Sequence, residues 1–277
     1  MPAAQAEETV WTSRTGLPLF SRWWRAPAAR ATLILLHGFA EHSGRYDGLA
    51  AALTARGFSV FAPDLRGHGR SGGHRGDVAA FDEYLEDLTA LTDAAALAAE
   101  PSVLFGHSYG GLIAVHWALA QPQRFRALCL QSPLFGVAMP IPRWKTLLAK
   151  RLRGILPQLA LPSGIDPDWL SHDPAVTDAY RRDPLVHGVI SLRGYFAMLD
   201  AMRRAMEQAS KLAVPTLVLR AEEDQVVSTS ACRAFVERLA CERRCVSYPG
   251  CYHELHHEVG AAASAVEELT GWIQAHL

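Results

Sequence analysis

Residues 106–111 read Gly-His-Ser-Tyr-Gly-Gly and follow an apolar run, 102–106, that is typical of a buried strand. A pattern with helical spacing comes next, over 110–121. A G-x-S-x-G sequence between a strand and a helix indicates a nucleophile elbow, a turn whose glycines let the two backbones approach closely. This turn exposes the serine hydroxyl at a helix N-terminus, where the helix dipole favours a developing negative charge. The sequence therefore predicts that Ser108 is a catalytic nucleophile.

The rest of the chain alternates short apolar runs with longer segments of helical spacing. This alternation predicts an α/β fold with a mostly parallel central sheet flanked by helices. The apolar runs lack polar alternation because both faces of a central parallel strand are covered. Residues 10–25 are expected to form an antiparallel hairpin at the sheet edge. Buried strands are predicted at 31–37, 58–62, 102–106, 127–131 and 215–219, and helices at 45–56, 78–99 and 110–121.

The alternation stops after Pro133. Between Leu134 and Leu212 no buried-strand run occurs, and seven prolines separate helical stripes, notably at 144–159 and 190–208. A break of this kind between two sheet strands is typical of an inserted helical cap. We therefore predict two parts, a core domain formed by 1–133 and 213–277 and a helical cap insertion, 134–212.

A serine hydroxyl is a weak nucleophile until a histidine takes its proton and an acid orients that histidine. Asp224 lies just past the strand predicted at 215–219, at the carboxyl end where ligands collect in open α/β sheets. Glu222 and Glu223, its neighbours, are nearly as good candidates for the acid. We prefer Asp224 because the apolar pair at 226–227 after it indicates a buried loop.

The predicted base is His253, which follows the next strand pattern, 243–248. It lies closest to the end of that strand, where a loop can reach over the serine. His256 and His257 are the alternatives, and they are expected to begin the last helix.

The tetrahedral oxyanion of acyl transfer needs hydrogen-bond donors, and backbone N–H groups are their usual source. We predict the N–H groups of Phe39 and Tyr109 for this role. His37 is interpreted as a structural histidine that braces the loop of Phe39. The segment 64–74 is rich in glycine and histidine, but its spacing does not match a phosphate-binding loop. We therefore expect no cofactor and no metal.

Glu41 and Arg45 lie in the polar loop after Phe39, and His256 lies in the loop of His253. The two loops must meet beside the nucleophile, and buried charges persist only when they are paired. Glu41, Arg45 and His256 are therefore expected to form a buried or half-buried charge cluster. The alternative is that all three are solvated.

Four stretches carry a resemblance to a known family: HGFAEHSGRY at 37–46, DLRGHGRS at 64–71, GHSYGG at 106–111 and YHELH at 252–256. Together they resemble the monoacylglycerol lipase and lysophospholipase branch of the α/β-hydrolase family. The resemblance covers nearly the whole chain from about residue 10, and EHSGRY at 41–46 is its most specific part. It implies the α/β-hydrolase fold, a triad at Ser108, Asp224 and His253, and oxyanion donors at Phe39 and Tyr109.

The resemblance also implies that Tyr180, in DAYRRDPL at 178–185, contacts the polar head of the substrate. Tyr109 departs from the family, in which methionine is commoner after the nucleophile; the N–H is kept but the pocket floor is altered. We interpret the chain as a serine hydrolase that cleaves a monoacylglycerol-like ester through an acyl-enzyme. The alternatives are a lysophospholipase, a general short-chain carboxylesterase and a catalytically silent binding protein of the same fold. An aminopeptidase is disfavoured, because no acidic cluster is obviously placed for an α-amine.

The bulk composition argues against other classes of protein. The 277 residues carry a net charge of −1, so no basic field favours nucleic acid. Five cysteines without a C-x-x-C pair favour a reducing compartment. We identify no signal peptide and no apolar run near the ~20 residues of a membrane span, so a cytoplasmic location is expected.

The segment from Leu134 to Ile165 has five basic residues and no acidic one. Leucine and isoleucine recur at helical spacing between 147 and 159, so an apolar stripe lies beside a basic face. This pattern predicts either peripheral membrane contact through the cap or a helix that packs on the core as the roof of the acyl tunnel.

Overall fold

A central sheet organises the computed structural model, which describes residues 5–97, 102–138 and 149–277. Eight strands of the described chain form this sheet, and two short strands form a separate ribbon. In chain order the strands are β1 (Glu7–Thr12), β2 (Pro18–Trp24), β3 (Ala31–Leu36), β4 (Phe58–Pro63), β5 (Ser102–His107), β6 (Phe125–Gln131), β7 (Ala160–Pro162), β8 (Val189–Ser191), β9 (Thr216–Ala221) and β10 (Arg243–Tyr248).

The strand order across the sheet is β1-β2-β4-β3-β5-β6-β9-β10. Strands β1 and β2 form the predicted antiparallel hairpin at one edge, and β2 is also antiparallel to β4. The pairs from β4 to β10 are parallel. The mostly parallel sheet and its five buried strands are therefore confirmed, with small differences at their ends.

Seven helices that lie wholly within the described ranges are α1 (Asp47–Thr54), α2 (Asp82–Ala94), α3 (Tyr109–Ala120), α4 (Pro174–Arg182), α5 (Leu192–Gln208), α6 (Thr229–Arg238) and α7 (Ala262–Ala275). Successive side chains of β3 point to opposite faces, as the strand geometry requires. Leu33 and Leu35 pack into the apolar cluster that includes α1 and α7. Ile34 and Leu36 pack into the cluster that includes α2, α3 and α6. Both faces of the sheet are thus covered by helices.

The segment predicted as the cap, 134–212, adds no strand to the central sheet in its described part. It contains the β7–β8 ribbon and the helices α4 and α5. The Asp173 side chain caps α4 by accepting from the Ala175 N–H, and Ser191 caps α5 by accepting from the Gly194 N–H. We refer to 134–212 as the cap segment.

The predicted helix 144–159 is wrong in its second half. Residues 139–148 lie outside the described residues, and helical structure at 149–153 ends at Arg153. Gly154 follows, and Pro157 cannot donate a helical hydrogen bond, so the backbone continues as turns. Within the described ranges, no helix is both long and apolar enough to cross a bilayer.

Candidate active site

The turn between β5 and α3 holds Ser108 in an unusual backbone conformation, with φ 52° and ψ −114°. A Cβ atom on Gly106 would lie 2.5 Å from the Gly110 carbonyl oxygen. A Cβ atom on Gly110 would lie 2.2 Å from the Leu36 carbonyl oxygen. Both positions therefore require glycine, and the close backbone packing holds the serine in a conformation that non-glycine residues rarely adopt.

Asp224 and His253 form a hydrogen-bonded pair, with 2.7 Å between Asp224 Oδ2 and His253 Nδ1. The other carboxylate oxygen accepts from the N–H groups of Val226 and Val227, at 2.8 and 2.9 Å. Both side chains of the pair are buried. Because Nδ1–H donates to Asp224, Nε2 is the ring nitrogen available to accept a proton.

The pKa of His253 is raised above its usual 6.5. Burial works against the charged imidazolium, but the negative charge of Asp224 and its hydrogen bond outweigh that cost. The pair therefore favours an imidazole that takes up a proton readily.

Neither alternative acid is paired with His253 in the structure. Glu222 pairs with Arg220 and Arg233, and Glu223 is exposed. The structure thus brings Asp224, of the three neighbouring acids, to a histidine.

The alternative bases are also engaged elsewhere. The His256 ring stacks on Tyr46 with 4.7 Å between centroids, and its Nδ1 lies 2.6 Å from Gln131 Nε2. His257 Nδ1 lies 2.6 Å from Glu254 Oε2. The expectation that these two histidines begin the last helix is wrong: they lie in a short 3₁₀ turn, and α7 begins at Ala262.

One cavity brings together most of the residues that the sequence singled out. Its wall includes Ser108, His253, Phe39 and Tyr180, so the predicted nucleophile, the predicted base, the loop of Phe39 and the cap segment meet there. The other lining residues are Gly38, Glu41, His107, Ile165, Leu170, Val226 and Glu254.

The two predicted oxyanion donors lie on neighbouring elements. Tyr109 is the first residue of α3, so its N–H has no acceptor within the helix. The rings of Phe39 and Tyr109 pack edge to face, with 5.4 Å between centroids. The Tyr109 ring also packs against Tyr84 and Phe81, at 5.6 and 6.0 Å between centroids.

The predicted charge cluster is present, but with a different third member. Arg45 contacts Glu41 and forms a two-pronged pair with Glu254, at 2.6 and 2.8 Å. His256 is not an ionic partner of Arg45 in this cluster: burial holds its pKa well below the usual value, so the ring is neutral. The 3₁₀ turn after Glu254 directs that carboxylate toward Arg45 and the His256 ring toward Tyr46. The sequence interpretation therefore missed Glu254, although it stands next to His253.

Glu41 links this cluster to the loop that carries Phe39. Its Oε1 accepts from the Gly38 N–H and the Tyr46 hydroxyl, both at 2.6 Å. Burial raises the pKa values of Glu41 and Glu254, but the Arg45 guanidinium overcomes this effect and holds both below their usual range. Both carboxylates are therefore charged at neutral pH, and Glu41 fixes the His37–Gly38 peptide, which directly precedes the peptide that carries the Phe39 N–H.

His37 has the structural role predicted for it. Its Nδ1–H donates to the Gly38 carbonyl oxygen at 2.7 Å, and its Nε2 accepts from the Leu65 N–H at 2.9 Å. His107, next to the serine, is also neutral, because burial and the neighbouring His253 lower its pKa to about 4.

Glu254, His256 and His257 form a group of possible metal ligands within the described ranges, with ligand atoms inside 4.8 Å. Glu254 already forms its two-pronged pair with Arg45. The guanidinium charge beside these ligand atoms opposes a second cation, so the group does not fit a metal site.

Comparison with known proteins identifies the family of this chain. The family model described as serine aminopeptidase, S33 (Hydrolase_4) matches residues 27–260. The chain belongs to this family.

Its relatives in the family include lipases. The monoacylglycerol lipase of Mycolicibacterium smegmatis is 33% identical over 263 residues, which cover 94% of this chain and 93% of the relative. The phospholipase YtpA of Bacillus subtilis is 31% identical over 238 residues, with 85% and 92% covered. The crystal structure of the Paleococcus ferrophilus monoacylglycerol lipase superposes with a TM-score of 0.84 at 29% identity, covering 99% of this chain and all of that one. The α/β-hydrolase fold is thereby confirmed.

Proposed function

We propose that this chain is a serine hydrolase that cleaves the ester bond of monoacylglycerols through an acyl-enzyme on Ser108. The observation that carries the proposal is the strained Ser108 turn, which shares one cavity with a histidine hydrogen-bonded to a buried aspartate. A serine, a histidine and an acid in this arrangement are the parts that acyl transfer requires.

The reaction follows from the roles of these groups. His253 Nε2 takes the proton of the Ser108 hydroxyl as its oxygen attacks the ester carbonyl carbon. The N–H groups of Phe39 and Tyr109 stabilise the oxyanion, and the imidazolium returns the proton to the departing glycerol oxygen. Water then gives a proton to His253 and attacks the acyl carbonyl carbon, and the imidazolium returns that proton to the Ser108 oxygen as the fatty acid leaves. Asp224 keeps the imidazole in the required tautomer throughout.

The monoacylglycerol substrate is supported by the relatives with that activity in their names, over nearly the whole chain. A lysophospholipid is the second candidate substrate, because one relative is a Bacillus phospholipase. A peptide substrate with a free α-amine is disfavoured by the charges in the cavity. Its two carboxylates, Glu41 and Glu254, are both paired with Arg45, so neither is left to bind an ammonium group.

One panel of substrates tests this proposal. The rates of hydrolysis are measured for monoacylglycerols of graded chain length, a diacylglycerol, a lysophospholipid and an aminoacyl anilide. A monoacylglycerol should give the largest kcat/KM. A larger kcat/KM for the lysophospholipid or the anilide would contradict the substrate assignment, while leaving the acyl-enzyme chemistry intact.

We also propose that 134–212 acts as the cap over this site and that Tyr180 contacts the substrate head. The support is that Tyr180 lines the cavity from α4 and that its ring faces the Arg45 guanidinium, 4.7 Å from the centroid. The Tyr180 ring therefore lies in the cavity wall next to the Arg45 guanidinium.

Peripheral contact of the cap segment with a lipid surface is part of the same proposal. Ile155 and Leu156 are 77% and 50% exposed, and Leu159 and Leu161 are also exposed. The exposed basic residues Lys150, Arg151 and Arg153 lie just before them. Apolar side chains beside basic ones suit a surface with anionic head groups.

Vesicle binding tests the lipid contact. The protein should bind anionic vesicles and release them as salt rises, because surface attraction is screened over about 8 Å at physiological strength. Changing Ile155 and Leu156 to serine should weaken binding and preserve hydrolysis of a soluble short-chain ester. Absence of vesicle binding at every salt concentration would contradict the contact.

A cytoplasmic location is likewise proposed. All five cysteines are free, which is compatible with a reducing compartment. Persistence of the free thiols in protein isolated from cells under alkylating conditions supports this location; a disulfide would contradict it.

A further inference from the structure

A short stretch of the cap segment, 183–187, contacts the loop that carries Phe39. The His187 N–H donates to the Ala40 carbonyl oxygen at 2.9 Å. The His187 ring packs edge to face on the Phe39 ring, with 5.5 Å between centroids. His42 Nε2 lies 2.8 Å from Asp183 Oδ2. The cap segment therefore contacts three of the four residues from 39 to 42.

Ala40 is the strained residue of this loop. It is fully buried, and its φ of 69° lies in the left-handed region that non-glycine residues rarely adopt. Such a conformation is unfavourable by itself and persists only where the surroundings hold it. The His187 N–H is one of those restraints, since it satisfies the Ala40 carbonyl. The conformation next to the Phe39 amide thus depends on contacts from the cap segment.

The proton positions on His42 follow from its partners. Its Nδ1 accepts from the Gly44 N–H at 3.1 Å, so the ring proton is on Nε2 and points to Asp183. Asp183 Oδ1 accepts from the Leu185 N–H at 2.8 Å. Burial raises the Asp183 pKa, but the hydrogen bonds from His42 and Leu185 hold it below its usual value. The link therefore joins an oriented donor to a charged carboxylate.

We propose that Asp183 is a positioning residue: through His42 it holds the loop 39–42 so that the Phe39 N–H points at the oxyanion. The oxyanion hole is then complete only while the cap segment is docked on the core. This inference rests on the proposed function and deepens it, because it assigns the cap segment a part in the chemical step as well as in substrate entry.

The variant Asp183→Asn tests the link with little change in shape. The Leu185 N–H and the His42 Nε2–H bind different oxygens of Asp183, and in asparagine one of these two positions becomes an NH₂ donor, so the two bonds cannot both be kept in place. Asp178→Asn is the matched control, because Asp178 lies on α4, is 51% exposed and pairs only with Arg181 and Arg182 in the described structure. His42→Asn is a second variant: an asparagine at this N-cap can still accept from the Gly44 N–H but is too short for Asp183.

The readouts are kcat and KM on p-nitrophenyl butyrate and the Ki of an alkyl trifluoromethyl ketone, which forms a tetrahedral oxyanion on the serine. Loss of a whole oxyanion donor costs about 10²–10³ in kcat, so a displaced donor should cost about tenfold. Asp183→Asn and His42→Asn should both lower kcat about tenfold, raise Ki by the same factor and leave KM within about twofold. Asp178→Asn should match the wild type.

A rise in KM with unchanged kcat and Ki would overturn the inference, because Asp183 would then only dock the cap segment. Unchanged kinetics in either variant would also overturn it. Thermal melts check that the variants fold. If Asp183→Asn does not fold, the kinetics of His42→Asn decide the test. A wild-type protein that neither hydrolyses the ester nor binds the ketone would contradict the proposed function and this inference with it.

Discussion

The nucleophile turn and the cap side of the site are held by different kinds of contact. At the turn, close backbone packing around Gly106 and Gly110 leaves Ser108 one conformation. On the cap side, Tyr180 and Asp183 reach across to side chains of a distant chain segment. The core therefore fixes the turn of Ser108, while our proposals assign substrate contact and fine positioning to side chains of the cap segment.

This difference ranks the expected effects of mutations, and the largest fall on the core. Asp224→Asn should lower kcat by a factor on the order of 10²–10⁴, because the asparagine NH₂ favours the wrong tautomer of His253. The acid limb of the pH profile should also move. In the wild type, kcat/KM falls as the pH drops through the His253 pKa, which the Asp224 charge raises above 6.5 despite burial. Without that charge the limb should lie at lower pH.

Glu223→Gln is the matched control for the acid, since Glu223 is the exposed neighbour of Asp224. It should keep the wild-type kcat and pH profile. The acid is misassigned if Asp224→Asn is nearly neutral while Glu223→Gln is inactive.

The charge cluster joins the two regions, and its effect should be on stability. Arg45→Met leaves the buried carboxylates of Glu41 and Glu254 without their cation, which should lower the free energy of unfolding by about 3–5 kcal/mol. Glu254→Gln should lower the free energy of unfolding much less, because Arg45 still forms its ion pair with Glu41. Urea unfolding of both variants measures the difference.

The pH dependence of that stability has a definite sign. Arg45 depresses both carboxyl pKa values in the folded wild type, so the wild type loses stability as the pH falls below their ordinary value of 4.5. Arg45→Met lacks this depression, so the gap between the two proteins should narrow below that pH. A gap that widens there would contradict the assigned ion pairs.

The smallest effect is expected at Tyr180. Tyr180→Phe removes one hydroxyl from the cap side of the cavity, and a single hydrogen bond contributes about 0.5–1.5 kcal/mol. KM for a monoacylglycerol should rise about threefold to tenfold, while KM for a p-nitrophenyl ester stays near the wild-type value. Equal changes for both substrates would mean that the ring only packs in the cap.

The core could be predicted from the sequence because its constraints are local. Gly106 and Gly110 are required because a Cβ atom at either position would lie less than 3 Å from a backbone atom. Each buried strand is a short apolar run in the sequence. The sequence favoured Asp224 but left Glu222 and Glu223 open, because only the course of the loop separates the three acids. In the structure Asp224 lies 2.7 Å from His253, and two backbone N–H groups bind its second oxygen.

The cluster and the cap were predicted less well because they depend on contacts between distant segments. Glu254 was missed since four consecutive residues, Glu-Leu-His-His, offer three polar side chains, and a short 3₁₀ turn decides which of them faces Arg45. The link from His42 to Asp183 spans 141 positions and has no local pattern. The helix predicted at 144–159 ends at Arg153. The sequence contains two signals for this end, Gly154 and Pro157, but the apolar spacing favoured a longer helix.

The most direct test of the account is covalent labelling of the nucleophile. Wild-type protein treated with a fluorophosphonate should gain one phosphonyl group, and peptide mapping should place it on Ser108. Ser108→Ala should keep the fold by circular dichroism, take up no label and lose monoacylglycerol hydrolysis by a factor on the order of 10⁴ or more. A label on another residue, or a Ser108→Ala variant that releases fatty acid at the wild-type rate, would contradict the account.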